Sequence, residues 1–140
     1  MAIKMRILYA TSKGKLINMA NILKQEFDLA QNTVDKIPPA YSCDKERILV
    51  LVMTLKGDLE SQVRLFCQEI NKTRALNTAL VIDGKEADAA KLIELLKNAG
   101  TNVVENVHYV KGGLPFLKNV SEDEKNALIK WAHEIVDSLN

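Results

Sequence analysis

The 140-residue chain has little of several things: 5% of its residues are aromatic, and it holds two cysteines, three prolines and six glycines. Its 19 lysines and arginines are matched by 18 acids, leaving a formal charge of +1. Cys43 and Cys67 are too few for a disulfide framework and too far apart for a C-x-x-C motif. Cys67 falls on the apolar side of a helical pattern and reads as inert core. Cys43 lies in a polar loop where a thiol would be accessible, without a clear neighbour to lower its pKa. The balanced charge, with no block of five or more like charges, argues against a nucleic-acid partner held by electrostatics. The longest apolar run, Ile48 to Leu55 with Thr54 inside it, is far shorter than the ~20 residues that cross a bilayer as a helix, so no membrane anchor is expected. Met1 to Arg6 lead straight into a short apolar run, without the long apolar region and small-residue site of a signal peptide, and a cytoplasmic location is expected.

What is present is ordinary globular composition, 47% hydrophobic and 26% charged. A chain this long removes roughly 68–70% of its unfolded surface from water, enough for a core without disulfide or metal, and one domain over residues 1–140 is expected. Met5 to Ala10 read as a buried strand ending at the polar cluster Thr11 to Lys15. Leu16, Ala20, Leu23 and Phe27 then recur at helical spacing, with Thr11 or Ser12 as the N-cap. Thr33 to Ile37 look like a short edge strand before Pro38-Pro39. Ile48 to Met53 are apolar at every position, which suits a central strand covered on both faces.

Asp58 can cap the next helix, whose stripe is Leu59, Val63, Phe66, Cys67 and Ile70. Thr78 to Ile82 form another buried strand, and Ala89, Leu92, Ile93, Leu96 and Ala99 trace a helix that Gly100 ends. Asn102 to Val110 carry the valines of a fifth strand. Ser121 and Glu124 form a capping box for a last helix faced by Leu128, Trp131, Ala132, Ile135, Val136 and Leu139. Alternation of continuous apolar strands with helices predicts an α/β fold, a three-layer, doubly wound, five-stranded parallel sheet. Its ligands belong beyond the carboxyl ends of the strands, which directs attention to the loops Thr11–Lys15, Thr54–Asp58, Asp83–Glu86 and Lys111–Phe116.

Thr11-Ser-Lys-Gly-Lys-Leu16 joins first strand to first helix, with a glycine for close approach and helix amides facing outward, an arrangement suited to an anion. In this position it resembles the phosphate loop of flavodoxins, Thr/Ser-x-Thr-Gly-x-Thr, and with chain length and element order the resemblance covers nearly the whole chain. It implies the flavodoxin-like strand order 2-1-3-4-5 and FMN as cofactor. Thr11, Ser12, Lys13, Gly14 and Lys15 would then hold the phosphate, and Thr54, Leu55, Lys56, Gly57, Asp83 and Gly84 would border the ring. The implied function is electron transfer to a redox partner protein, or a minor reductase activity, with the flavin carrying the chemistry.

Lys13 and Leu16 stand where the family has its two later threonines, and the loops Thr54–Asp58 and Asp83–Glu86 lack the aromatic side chains that flank the flavin ring. The chain is also nearly neutral, whereas flavodoxins are commonly acidic carriers. These departures keep a second expectation open: a flavodoxin-like domain that has lost FMN and acts as a binding or regulatory module.

Other chemistry finds less support. A receiver domain needs an acidic cluster after the first strand and an aspartate closing the third, where this chain has Ala-Thr-Ser and Met-Thr-Leu. Gly14-Lys15-Leu16 fails the nucleotide P-loop, and no G-x-G-x-x-G or G-x-S-x-G is present. His108 and His133 have no neighbours at metal-ligand spacing, and Glu122, Asp123 and Glu124 open a helix, where its dipole favours acids. No catalytic residue and no metal site are assigned.

Overall fold

The structure, a computed structural model, describes residues 4–139; residues 1–3 and 140 of the expected domain lie outside the described residues. The elements run β1 (Met5–Ala10), α1 (Gly14–Glu26), a 3-10 turn (Gln31–Thr33), β2 (Val34–Lys36), β3 (Glu46–Thr54), α2 (Ser61–Gln68), β4 (Ala75–Asp83), α3 (Glu86–Ala99), β5 (Asn102–Val103), β6 (His108–Tyr109) and α4 (Glu122–Ser138). The strand order is β2-β1-β3-β4-β5, with β6 also on β4, and every pairing is parallel. This is the doubly wound α/β sheet expected from the alternation.

Alternate residues of the central strands feed two separate cores, which is why β3 and β4 are apolar almost throughout. Leu49, Leu51, Met53, Leu80 and Ile82 pack with Val63 and Cys67 of α2 and Ala89, Leu92 and Leu96 of α3. Ile48, Val50, Val52, Ala79 and Val81 pack with Leu16, Met19, Ala20 and Leu23 of α1 and Leu128, Trp131, Ala132 and Ile135 of α4. The helices therefore sit in pairs on opposite faces, the three layers of the expected architecture.

Gly100 ends α3 in the left-handed region at φ 118°, its amide bonding back to Leu96 and Lys97, and the Ser121–Glu124 capping box opens α4 in both its halves. The expected fifth strand is split. Asn102 and Val103 pair with Asn77 and Thr78, whereas His108 and Tyr109 pair with Val81 and Ile82, so the register slips by two residues between the pieces. The extra residues bow out around Asn106, whose carbonyl accepts the Trp131 Nε1–H at 2.7 Å. Trp131 is thus satisfied from the sheet edge it packs on, at the cost of ladder continuity.

Two expected caps are not used. The N-cap of α1 is Lys13, with no side-chain cap, because the Thr11 hydroxyl is occupied elsewhere. The N-cap of α2 is Glu60 rather than Asp58, because Gly57 turns the chain at φ 73° and Glu60 stays extended. Leu59 and Ile70 accordingly flank α2 and pack from outside it. Cys43, expected in an accessible loop, is 1% exposed, and burial pushes its thiol pKa up. Cys67 is buried as expected, its thiol pushed up to about 12 by desolvation. Neither is a poised nucleophile.

Candidate functional site

The carboxyl ends of β1, β3 and β4 bring the expected site loops together, since the three strands are adjacent and in register: Ala10 faces Met53, and Thr54 faces Asp83. A closed hydrogen-bond circuit joins the loops. The Lys13 amide donates to Thr11 Oγ1 at 3.0 Å, and the Thr11 and Thr54 hydroxyls share a bond of 2.7 Å. The Thr54 hydroxyl reaches Asp83 Oδ2 at 3.4 Å, and Lys13 Nζ donates to the same Oδ2 at 2.6 Å. One proton direction satisfies the whole ring: Thr11 donates to Thr54, Thr54 to the carboxylate, and Lys13 enters at both ends.

The strap from Lys111 to Lys118 lies against this circuit. Gly112 is pressed so closely on it that a Cβ there would meet Asp83 Oδ2, Lys13 Cδ at 2.5 Å and Leu16 Cδ1 at 2.9 Å. The Pro115 carbonyl accepts the Gly14 amide at 3.2 Å, and Asn18 Nδ2 donates to the Lys118 carbonyl at 2.7 Å. A distant carbonyl thus caps α1 in place of the loop's own hydroxyls. Lys15 Nζ is drawn away to Glu124 Oε2 at 2.9 Å. That contact, with the Ser121 amide, holds the Glu124 carboxyl below its ordinary pKa.

Two concave spaces flank the circuit. A cleft of about 550 Å³ over β3 and β4 is lined by Lys13, Thr54, Leu55, Lys56, Gly57, Asp83 and Gly84 of the expected residues, together with Lys85 and Asp88. No aromatic side chain lines it. A second cleft, about 520 Å³, lies over β2, β1 and β3 and takes in Thr11 and Ser12 along with Thr54 to Gly57. It adds residues that the sequence reading omitted: Tyr9, Lys36, Ile37, Met53, Leu59 and Val63. For Tyr9, Lys36 and Ile37 the signal was the end of the edge strand, since Lys36 pairs with Tyr9 and so must reach the same end of the sheet. Gly14 and Lys15 line neither space.

The donor set does not fit the phosphate of FMN in the manner of the family. The Gly14 amide, the Lys13 and Lys15 ammonium groups and the Thr11 hydroxyl are each bonded within the chain. Leu16, at the last threonine position, is 0% exposed and belongs to the core. Gly84 serves internal packing too, since a Cβ there would meet the Leu55 carbonyl at 2.7 Å. Ser12 is the exception in the loop, its hydroxyl free of partners among the described residues.

No protein-family model matches the sequence, and comparison with curated proteins finds no relative. Solved structures do match. The flavodoxin of Streptococcus pneumoniae TIGR4 superposes over 96% of this chain and 98% of its own with a TM-score of 0.66 at 16% identity. Oxidised flavodoxin 2 of Bacillus cereus covers 96% and 99% with a TM-score of 0.69 at 15% identity. A flavodoxin from the domain Archaea covers 98% and 99% with a TM-score of 0.67 at 10% identity. The fold of this chain is flavodoxin-like along almost its entire length. Among the described residues no helix is long and apolar enough to cross a membrane.

Proposed function

We propose that this chain is a flavodoxin-like binding module that works without FMN. One observation carries the reading: the Thr11 hydroxyl, the Lys13 and Lys15 ammonium groups and the Gly14 amide, four of the groups that would cradle the phosphate, are bonded within the chain itself, and the resulting circuit ties three loops and the strap into one unit. An anion entering there would displace a carboxylate and a carbonyl already in place, and it would gain no aromatic surface in return. The neighbouring cleft over β2, β1 and β3 shares Thr11 and Thr54 with the circuit, but its Ser12 and Lys56 side chains make no hydrogen bond or ion pair among the described residues, and it is where a ligand meets least competition.

Electron transfer with FMN, passing electrons to a partner protein, is the second reading. It is favoured by the end-to-end likeness to solved flavodoxins and by the cleft over β3 and β4, which collects seven of the expected cofactor residues. The flavin would supply the redox chemistry and the protein its surroundings. The visible absorption spectrum of the purified chain, repeated after excess FMN and desalting, separates the two. A colourless chain that retains no FMN is expected; flavin bands that survive desalting would overturn the first reading in favour of the second.

A further inference from the structure

Three of the parallel connections carry an α-helix: α1 between β1 and β2, α2 between β3 and β4, and α3 between β4 and β5. The connection from β2 to β3, residues 37–45, has none. Beside α2 the outer layer of the sheet is therefore one helix short. Hydrogen bonds pin the connecting segment instead. The Arg6 guanidinium donates to the Tyr41 carbonyl at 2.8 Å and to the Ser42 carbonyl at 3.3 Å, and Arg74 Nη1 donates to the Cys43 carbonyl at 3.2 Å. Between this segment and α2 lies a cavity of about 360 Å³. It shares no lining residue with either cleft at the carboxyl end of the sheet.

Apolar and charged groups are segregated in this cavity. Leu65, Phe66 and Glu69 line it from one face of α2 and its C-cap, at helical spacing. Pro38 and Pro39 line it from the connecting segment, and the buried Cys43 and Ile70 close it toward the core. Glu69 and Arg74 flank the turn from α2 into β4 and put opposite charges into the same space. Among the described residues they make no ion pair with each other or with any other side chain. Glu69 is the C-cap of α2, whose last turn holds no basic residue; an acid at this negative end of the helix is disfavoured until a cation joins it. Arg74 spends one nitrogen on the Cys43 carbonyl, and its remaining guanidinium donors make no hydrogen bond among the described residues.

We propose that this cavity binds a large apolar α-amino acid, its carboxylate on Arg74, its ammonium on Glu69, and its side chain against Leu65, Phe66 and the two prolines. An α-amino acid carries both charges on one carbon, which matches a cation and an anion gathered at one end of an apolar space. The Arg74 fork suits a carboxylate and is already held by its bond to the connecting segment. A ligand with one charge alone would leave the other side chain covered and unpaired, so a simple carboxylate or amine is selected against. The volume lies at the small end for ligand sites and suits an amino acid better than a nucleotide or a partner's helix. The inference stands apart from both functional readings, since it uses neither the circuit nor the residues expected to hold FMN.

The test is a titration of the full chain, followed in 1H–15N correlation spectra, with L-phenylalanine and L-leucine, each beside its analogue lacking the amine and its analogue lacking the carboxylate. At least one of the two amino acids is expected to shift amides of residues 40–43 and 62–74 saturably, and to bind at least about threefold more tightly than either of its analogues. Glu69→Gln should weaken that amino acid by about threefold or more and leave the analogue lacking the amine no weaker, whereas Arg74→Gln should weaken both. Arg74 also bonds the connecting segment, so Glu69→Gln, at an exposed position, is the deciding variant, and the dispersion of its spectrum checks its fold. The proposal is overturned if neither amino acid gives saturable shifts, if the shifts centre on residues 9–12 and 54–58, if a singly charged analogue matches its parent, or if folded Glu69→Gln binds the amino acid undiminished.

Discussion

The carboxyl end of the sheet has two halves that use the same residue types in opposite ways. Over β4 and the start of α1, lysine, threonine and aspartate bond to one another beneath a strap. Over β1 and β3, serine and lysine line an open cleft, and the side chains of Ser12 and Lys56 make no hydrogen bond or ion pair among the described residues. Residue type is therefore a poor guide to availability. Lys13 and Lys56 stand in adjacent loops, yet one is an internal counter-ion and the other has no ion-pair partner among the described residues.

The largest effect is expected from Leu16→Thr, which restores the family's threonine on the closed side. At a fully buried position it removes packed methyl groups and buries a hydroxyl, a cost of about 2–4 kcal/mol measurable by urea unfolding. A loss near zero would mean that residue 16 can turn out toward an anion.

Next comes a paired glycine experiment. Gly112→Ala drives a methyl into the circuit and should cost about 1–3 kcal/mol, with accelerated hydrogen exchange at the Gly14 amide as the strap lifts. Gly57→Ala, with no atom within 4 Å of the added methyl, bears only the left-handed backbone term of about 1–2 kcal/mol and should leave Gly14 exchange unchanged. Equal exchange in the two variants would dissolve the distinction between the halves.

Asp83→Asn keeps the shape of the circuit but removes its anion. With both partners partly solvated, a loss of about 1 kcal/mol is expected, against less than about 0.5 kcal/mol for Lys36→Gln on the open side.

The smallest effects are those of pH. The folded-state pKa of Glu124 is depressed, so its contribution is present above the ordinary carboxylate pKa and lost as pH falls through the folded value. The stability gap between the parent chain and Glu124→Gln should narrow on acidification to about pH 3. His108 is depressed by burial from its ordinary 6.5 and stacks on Trp131 with ring centroids 5.4 Å apart. The folded state binds fewer protons there than the unfolded chain, so stability should fall as pH drops below that value, a slope that His108→Gln would flatten.

Much of the fold was legible in the sequence because it rests on local signals. Continuous apolar runs located β1, β3 and β4, Gly100 and the Ser121–Glu124 box located helix ends, and Thr33 to Ile37 contained the edge strand. The caps of α1 and α2 were less legible, since a hydroxyl near a helix start can equally bond across loops, as Thr11 does with Thr54. The split of the fifth strand depended on Trp131, 25 residues from the carbonyl it bonds.

By itself the sequence determined the α/β architecture, the parallel order of its strands once the loop resemblance was joined to the alternation, and the end of the sheet where loops of functional residue types gather. These follow from periodicity, propensity and handedness, which act over a few residues or through general rules of sheet connection. Only the tertiary structure decided which donors are consumed and which remain. Lys13 meets Asp83 across 70 residues, and Lys15 meets Glu124 across 109. Pairings of that range are set by how layers and loops pack, and no local pattern in the chain records them.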